Sequence, residues 1–288
     1  MKSQEEQWLL KEKYQGEKSA AFFADCKALA LGEPLGYLIG HVPFLGCTIH
    51  LDNQPLIPRV ETEFWVEQAI AAIKESQSLQ SPLALSESEQ SDLAQTRLSS
   101  GGFGWGGEGV SESGLTVRTT PTILDLCAGS GCIGVAVAKH VPESVVDFGE
   151  LSKQLVPTIK KNCVENGVQT DRYTIYHSNL FQNIPADATY DFILSNPPYI
   201  DPAVDRAEES VKTHEPHLAL YGGVAGIEII EQLIKAAPSH LTTGGQLWIE
   251  HEPEQSVAIQ AIAREHNFAA TNHPDQYGVI RYSILVLN

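Results

Sequence analysis

Ser195-Asn196-Pro197-Pro198-Tyr199 is the stretch of this chain whose residue types and spacing could do chemistry. Two consecutive prolines remove two N–H donors and hold the preceding residues extended, which leaves carbonyl oxygens as acceptors in set directions. A planar NH2 conjugated to a carbonyl or a heterocycle is a weak nucleophile, because its lone pair is delocalised. If the Asn196 side-chain oxygen and the Pro197 carbonyl each accepted one of its N–H groups, the nitrogen would be held in place. It would also gain electron density as positive charge develops. Tyr199 could stack on the flat group. Asn196, Pro197, Pro198 and Tyr199 are therefore the candidate catalytic and substrate-holding residues, for transfer of a methyl group to nitrogen. Alone, the tetrapeptide would read as a loop that ends a strand.

A second motif lies upstream. Leu124-Asp125-Leu126-Cys127-Ala128-Gly129-Ser130-Gly131-Cys132-Ile133-Gly134 follows the apolar run Ile123-Leu124 and opens a helix-like segment. Gly129-x-Gly131-x-x-Gly134 is the spacing of a dinucleotide loop, and Glu150 stands at the distance expected of a ribose-binding carboxylate. The spacing fits two cofactors, a nicotinamide dinucleotide or S-adenosylmethionine. Charge favours the second: Asp125 would oppose an anionic pyrophosphate but suit a sulfonium and an ammonium group.

The elements that must position these motifs alternate in type. Strand-like runs appear at Ile123–Leu126, Ser144–Val146, Arg172–Tyr176, Asp191–Leu194, Gly245–Glu250 and Arg281–Leu287. Helix-like segments separate them, running from the glycine loop through Ala138, then near Leu155–Val164, Ile227–Ala237 and Val257–His266. This pattern predicts an α/β fold with a mainly parallel, doubly wound sheet, whose ligands bind at the carboxyl ends of the strands. Before it, Glu5–Leu31 reads as a helical pair broken at Gly16, and Val60–Ile73 as a helix. A hairpin is expected where Thr48–Leu51 turns at Asp52-Asn53 into Pro55–Ile57. From 75 to 119 the composition shifts to Ser, Gln, Glu and Gly, which predicts a flexible insertion.

Composition narrows the class. The chain has 288 residues, 42% of them hydrophobic, enough for a full core. Lys and Arg total 19 against 36 Asp and Glu, a formal charge of -17, which disfavours long-range attraction to nucleic acid. Five scattered cysteines without a C-x-x-C pair indicate neither a disulfide framework nor a zinc site. His214-Glu215-Pro216-His217 and His251-Glu252-Pro253-Glu254 resemble metal sites, but each proline breaks the helix such a site needs. No metal is expected. The charged N-terminus and the lack of a long apolar run point to a cytoplasmic protein without membrane contact.

Asn196-Pro197-Pro198-Tyr199-Ile200, Glu215-Pro216, Gly32-Glu33-Pro34-Leu35-Gly36-Tyr37-Leu38-Ile39-Gly40 and Pro55-Leu56-Ile57-Pro58-Arg59-Val60-Glu61-Thr62-Glu63 together resemble the protein-(glutamine-N5) methyltransferases that act on peptide chain release factors. The resemblance implies a class I, Rossmann-like methyltransferase domain over 120–288. A small N-terminal helical domain over 1–33 and a hairpin with a connecting helix over 34–74 would precede it. It also implies S-adenosylmethionine as cofactor, the glutamine of a release factor's Gly-Gly-Gln loop as substrate, no direct nucleic-acid contact and a monomer.

Carried over residue by residue, Asp125, Cys127, Ala128, Gly129, Ser130, Gly131, Glu150, Asn179, Leu180 and Asn196 would meet the cofactor. Arg59, Glu61 and Glu63 would form the substrate rim. Cys127 replaces the loop's first glycine, Asn179 an acidic residue and Leu180 an aromatic, Ala225 stands where Asp is common, and the 75–119 insertion is outside the family pattern. Two other acceptors fit the same chemistry: a glutamine of a ribosomal protein, or the N6 amino group of adenine.

Overall fold

The computed structural model describes residues 4–80, 120–204 and 207–288. Most of the 75–119 insertion, and Asp205, lie outside the described residues. Two helices, α1 (Gln4–Glu12) and α2 (Ala20–Ala30), and the short α3 (Leu35–Ile39) bury Leu9, Phe22 and Leu38 against one another. Ser19 caps α2 by accepting the Phe22 N–H, a normal start for a helix.

The hairpin is shifted from its expected position. It pairs β1 (His41–Phe44) with β2 (Cys47–His50), with Phe44 opposite Cys47. The two-residue turn Leu45-Gly46 has φ of 45° and 72°, and positive values at both central positions give the twist that a tight hairpin needs. Pro55 has no N–H to give a ladder, and Asn53 and Gln54, with φ of 62° and 52°, only reverse the chain toward the next helix.

That helix, α4, runs Val60–Gln80, seven residues past the expected Ile73, so the first residues assigned to the insertion are helical. Thr62, Trp65, Val66, Ala69, Ile70 and Ile73 form one buried stripe at helical spacing. After it come β3 (Thr122–Leu126), α5 (Cys132–His140), β4 (Val145–Glu150), α6 (Val156–Glu165), β5 (Tyr173–His177) and β6 (Tyr190–Ser195). The chain continues through α7 (Glu209–His214), α8 (Glu228–Ala236), β7 (Leu241–Glu250), α9 (Ser256–Glu265), β8 (Phe268–Pro274) and β9 (Ile280–Leu287).

Among the described residues the large sheet has the order β5-β4-β3-β6-β7-β9-β8, with β3 to β7 parallel and β8 and β9 antiparallel. One face packs against α4, α5 and the hairpin, the other against α8 and α9. After β3 the chain winds toward β5, and from β6 it winds the other way. The switch point therefore falls between β3 and β6, where the crevice at the carboxyl edge receives ligands. Both motifs leave the sheet there: Leu126 pairs with Ser195, and the Ser195 hydroxyl donates to the Leu126 carbonyl at 2.7 Å.

Candidate active site

The glycine loop turns sharply between β3 and α5. Gly129 and Gly131 have φ of 58° and 78°, in the left-handed region that glycine adopts without strain, and Cys127 shares that region at 62°. A methyl group on Gly134 would overlap the Phe148 ring, so this glycine lets the start of α5 lie against β4. One cavity is lined by Cys127, Ala128, Gly129, Ser130, Glu150, Asn179, Leu180, Thr62, Asn196 and Pro198, together with Asn53, Gln54 and Leu56 to Pro58.

Glu150 is nearly buried at this cavity. Its carboxylate accepts the Gly129 N–H at 2.8 Å and the Ser152 N–H at 2.6 Å, so it holds the loop while lining the space beside it. Burial raises its pKa above the ordinary carboxylate value, and the backbone N–H groups partly offset that.

Asp125 departs from expectation. It does not line the cavity: it is fully buried, and its Oδ2 accepts the Gly134 N–H at 2.8 Å. Desolvation pushes its pKa from the ordinary 3.8 to about 8, so a neutral carboxyl at the start of α5, not a free negative charge, stands behind the loop. Gly131 likewise lies outside the cavity lining and serves as the N-cap of α5.

On the other side of the crevice the tetrapeptide is pinned along its length. Asn196 Nδ2 donates to Thr62 Oγ1 at 3.2 Å, the Tyr199 hydroxyl to Glu250 Oε1 at 3.0 Å, and Gln255 Nε2 to the Tyr199 carbonyl at 2.7 Å. Gly226, at φ of 65°, lies so close to the Tyr199 carbonyl that any side chain there would overlap it. Tyr199 therefore holds a buried carboxylate and does not line the cofactor-side cavity; it lines a second, wider groove with Arg59, Glu61, Glu250 and Arg281. Burial, and then the Glu250 charge, raise its pKa well above that of a free phenol. Pro197 is buried between its neighbours.

The rim residues divide. Glu61 and Arg59 line the groove, with Arg59 Nη2 on the buried Glu215 Oε1 at 2.6 Å. Glu63 does not reach it. Its Oε1 accepts the Leu45 N–H at 2.6 Å, which places the side chain on the hairpin turn. Both ring nitrogens of His251 are occupied, Nδ1 with the Glu252 carbonyl and Nε2 with the Ser283 hydroxyl. No group of three or more metal-binding side chains gathers among the described residues.

Sequence reasoning passed over Trp65 and Gln255, placed Thr62 only within the rim segment Glu61 to Glu63, and left Glu250 open between the cofactor edge and a satisfied strand end. The usable signal was the helical stripe through Thr62 and Trp65, which faces the sheet where the tetrapeptide leaves it.

A parallel sheet with its glycine loop and its Asn-Pro-Pro-Tyr loop side by side at the switch point has the construction of a nitrogen-directed methyltransferase. A family model described as "Methyltransferase small domain" matches residues 112–280, more than half of the chain. The chain is 33% identical over 251 residues to the release factor glutamine methyltransferase of Rhodopirellula baltica, covering 87% of this chain and 72% of that one. It is 31% identical over 265 residues to the enzyme of the same name from Bifidobacterium longum, covering 88% and 75%. The ribosomal protein uL3 glutamine methyltransferase of Bordetella pertussis is 39% identical over 127 residues, covering 44% of this chain and 42% of that one.

A solved structure of the hMettl16 catalytic domain in complex with the MAT2A 3'UTR hairpin 6 has the same fold at a TM-score of 0.53, with 14% identity over 84% of this chain and 76% of that one. The chain belongs to the family of release factor glutamine methyltransferases.

Proposed function

We propose that this enzyme transfers a methyl group from S-adenosylmethionine to the N5 amide nitrogen of the glutamine in the Gly-Gly-Gln loop of a peptide chain release factor. The observation that carries this reading is the Asn196 amide: with Nδ2 given to Thr62, its Oδ1 is left to accept an N–H from a substrate amide. The Pro197 carbonyl is the second acceptor. Both hold the nitrogen in line and stabilise positive charge as the new C–N bond forms.

The residues present fit the cofactor: a loop of backbone N–H groups and positive-φ glycines, the Glu150 carboxylate that would take ribose hydroxyls, and Asn179 and Leu180 on the same cavity, which would take the adenine. S-adenosylmethionine supplies an electrophilic methyl on a sulfonium. Asn196 lines that cavity, so an amide held at its Oδ1 would face the methyl donor there.

Relatives named for release factors align over 87% and 88% of this chain, whereas the uL3 relatives align over 44% and 51% of it; this favours the release factor as partner. The formal charge of -17 speaks against nucleic acid as the direct substrate. The same reading has a monomer acting in the cytoplasm; among the described residues no helix is long and apolar enough to cross a membrane.

The test is methylation with labelled S-adenosylmethionine of an intact release factor, of the same factor with its loop glutamine changed to Ala, and of ribosomal protein uL3. Label confined to the intact factor is expected. Equal labelling of both factors, or label on uL3 alone, overturns the assignment.

A further inference from the structure

Glu250 is 1% exposed and ends β7, yet it is placed to control the site. Ser195 pairs with Ile249 across β6 and β7, so the next residues in each strand, Asn196 and Glu250, leave the carboxyl edge side by side. Three donors converge on its carboxylate. Thr62 Oγ1 and Trp65 Nε1 reach Oε2, each at 2.7 Å, and the Tyr199 hydroxyl reaches Oε1 at 3.0 Å. An indole nitrogen can only donate, so this partner set suits the ionised carboxylate, which only accepts.

The consequence for Thr62 is directional. Its single hydroxyl hydrogen is committed to Glu250, so toward Asn196 the oxygen presents lone pairs alone, and it accepts Nδ2 at 3.2 Å. The reversed Asn196 amide would set Oδ1 against those lone pairs. Thr62 and Asn196 line the cofactor-side cavity, while Glu250 and Tyr199 line the groove behind it. The network therefore forms the wall between the two.

We propose that Glu250 is a positioning residue for methyl transfer: through Thr62 it sets the Asn196 amide with its oxygen as acceptor, and through the Tyr199 hydroxyl it fixes the far end of the same tetrapeptide. This rests on the glutamine-methylation reading, because only an acceptor at Asn196 serves an amide NH2. Trp65 and Thr62 lie on α4, so the helix that joins the N-terminal region to the sheet supplies part of the orienting network.

The experiment compares wild type, Thr62→Val, Thr62→Ser and Glu250→Leu. Val keeps the shape of Thr and loses the hydroxyl. Ser restores the hydroxyl. Leu accepts nothing and so releases the Thr62 hydroxyl hydrogen toward Asn196 Oδ1, which reverses the polarity of the chain. For methylation of the release factor, kcat should fall about 10- to 100-fold in Thr62→Val and Glu250→Leu, the usual scale for groups that orient a direct contact. KM for the factor and Kd for S-adenosylhomocysteine should stay within about twofold. Thr62→Ser should recover most of kcat.

Wild-type kcat in Thr62→Val, or a loss that Thr62→Ser does not recover, overturns the proposal. A substrate-free reading comes from the Asn196 side-chain NH2 resonances in nitrogen-15 spectra, assigned by their absence in Asn196→Asp. They should shift in Thr62→Val and Glu250→Leu and return in Thr62→Ser. If they do not move, the orienting role fails even where methylation is slowed. A wild-type enzyme inactive on the release factor with the NMR pattern intact sinks the substrate assignment and leaves the positioning role supported.

Discussion

The two loops at the switch point are built differently. Along the tetrapeptide after β6, Asn196 is engaged by Thr62, Tyr199 by Glu250 through its hydroxyl and by Gln255 through its carbonyl. In the glycine loop after β3, Cys127 sits at a positive φ that suits glycine, and the fully buried Asp125 leaves Oδ1 without a hydrogen-bond partner among the described residues. The contrast follows from the work proposed for each loop. Redirecting an amide lone pair depends on two acceptors fixed to a fraction of an ångström, whereas a cofactor spread over many backbone contacts tolerates an imperfect turn. Precision is concentrated on the substrate side.

The sharpest way to break this contrast is Asn196→Ala. Removing the acceptor should lower kcat by about 10³-fold, as loss of one transition-state partner does, while Kd for S-adenosylhomocysteine changes less than threefold. Single-turnover rates alongside calorimetric cofactor binding separate the two; a matching loss of cofactor affinity would mean that Asn196 belongs to the cofactor loop's function.

Gly226→Ala comes next. The new methyl would overlap the Tyr199 carbonyl, and the residue would keep a φ of 65°, so both packing and backbone suffer. A stability loss of about 2–4 kcal/mol is expected from denaturant titration, with methylation falling further than the folded fraction does. Unchanged kinetics in the folded enzyme would show that the tetrapeptide carbonyl can move freely.

How much of this was legible in the chain differs between the same two regions. The alternating apolar runs located β3, β6 and β7 because buried parallel strands need them, and Pro197-Pro198 directly after Phe192–Leu194 marked an acceptor loop at the sheet edge. The hairpin was misplaced because Asp52-Asn53 is a stronger turn signal than Leu45-Gly46, although Pro55 cannot join a ladder. β8, Phe268–Pro274, passed unread: as an edge strand it carries Thr, Asn and His where a buried strand would be apolar. Thr62 and Glu250 are 188 positions apart, and no local pattern ties them. Asp125 misled for a related reason. Its charge is a property of its burial, which the strand's neighbours decide.

Burial of Asp125 gives the cofactor side its own test. A carboxyl whose folded pKa is raised, here from 3.8 to about 8, contributes its full stability below the lower value. That contribution is lost progressively as pH climbs through the higher one. Asp125→Asn keeps the shape and stays neutral. Relative to wild type it should gain stability steadily from about pH 4 to pH 8, with the difference widening by roughly 4–6 kcal/mol across that window. Urea midpoints at several pH values read this directly. Parallel curves would mean that Asp125 is ionised in the folded protein, and the case for a loosely satisfied glycine loop would fail.

The smallest effect is expected at Cys127. Its side chain holds a φ of 62° that costs a non-glycine residue about 1 kcal/mol, and its thiol is buried enough for desolvation to push its pKa to about 12, so it is an inert neutral group. Cys127→Gly removes the strain but adds freedom to the unfolded chain, and the two oppose each other. The net gain should stay below about 1 kcal/mol, with cofactor Kd within threefold because the other loop contacts are unchanged. A tenfold change in Kd in either direction would mean that the thiol grips or blocks the cofactor, and the cofactor loop would then be as closely fitted as the substrate loop.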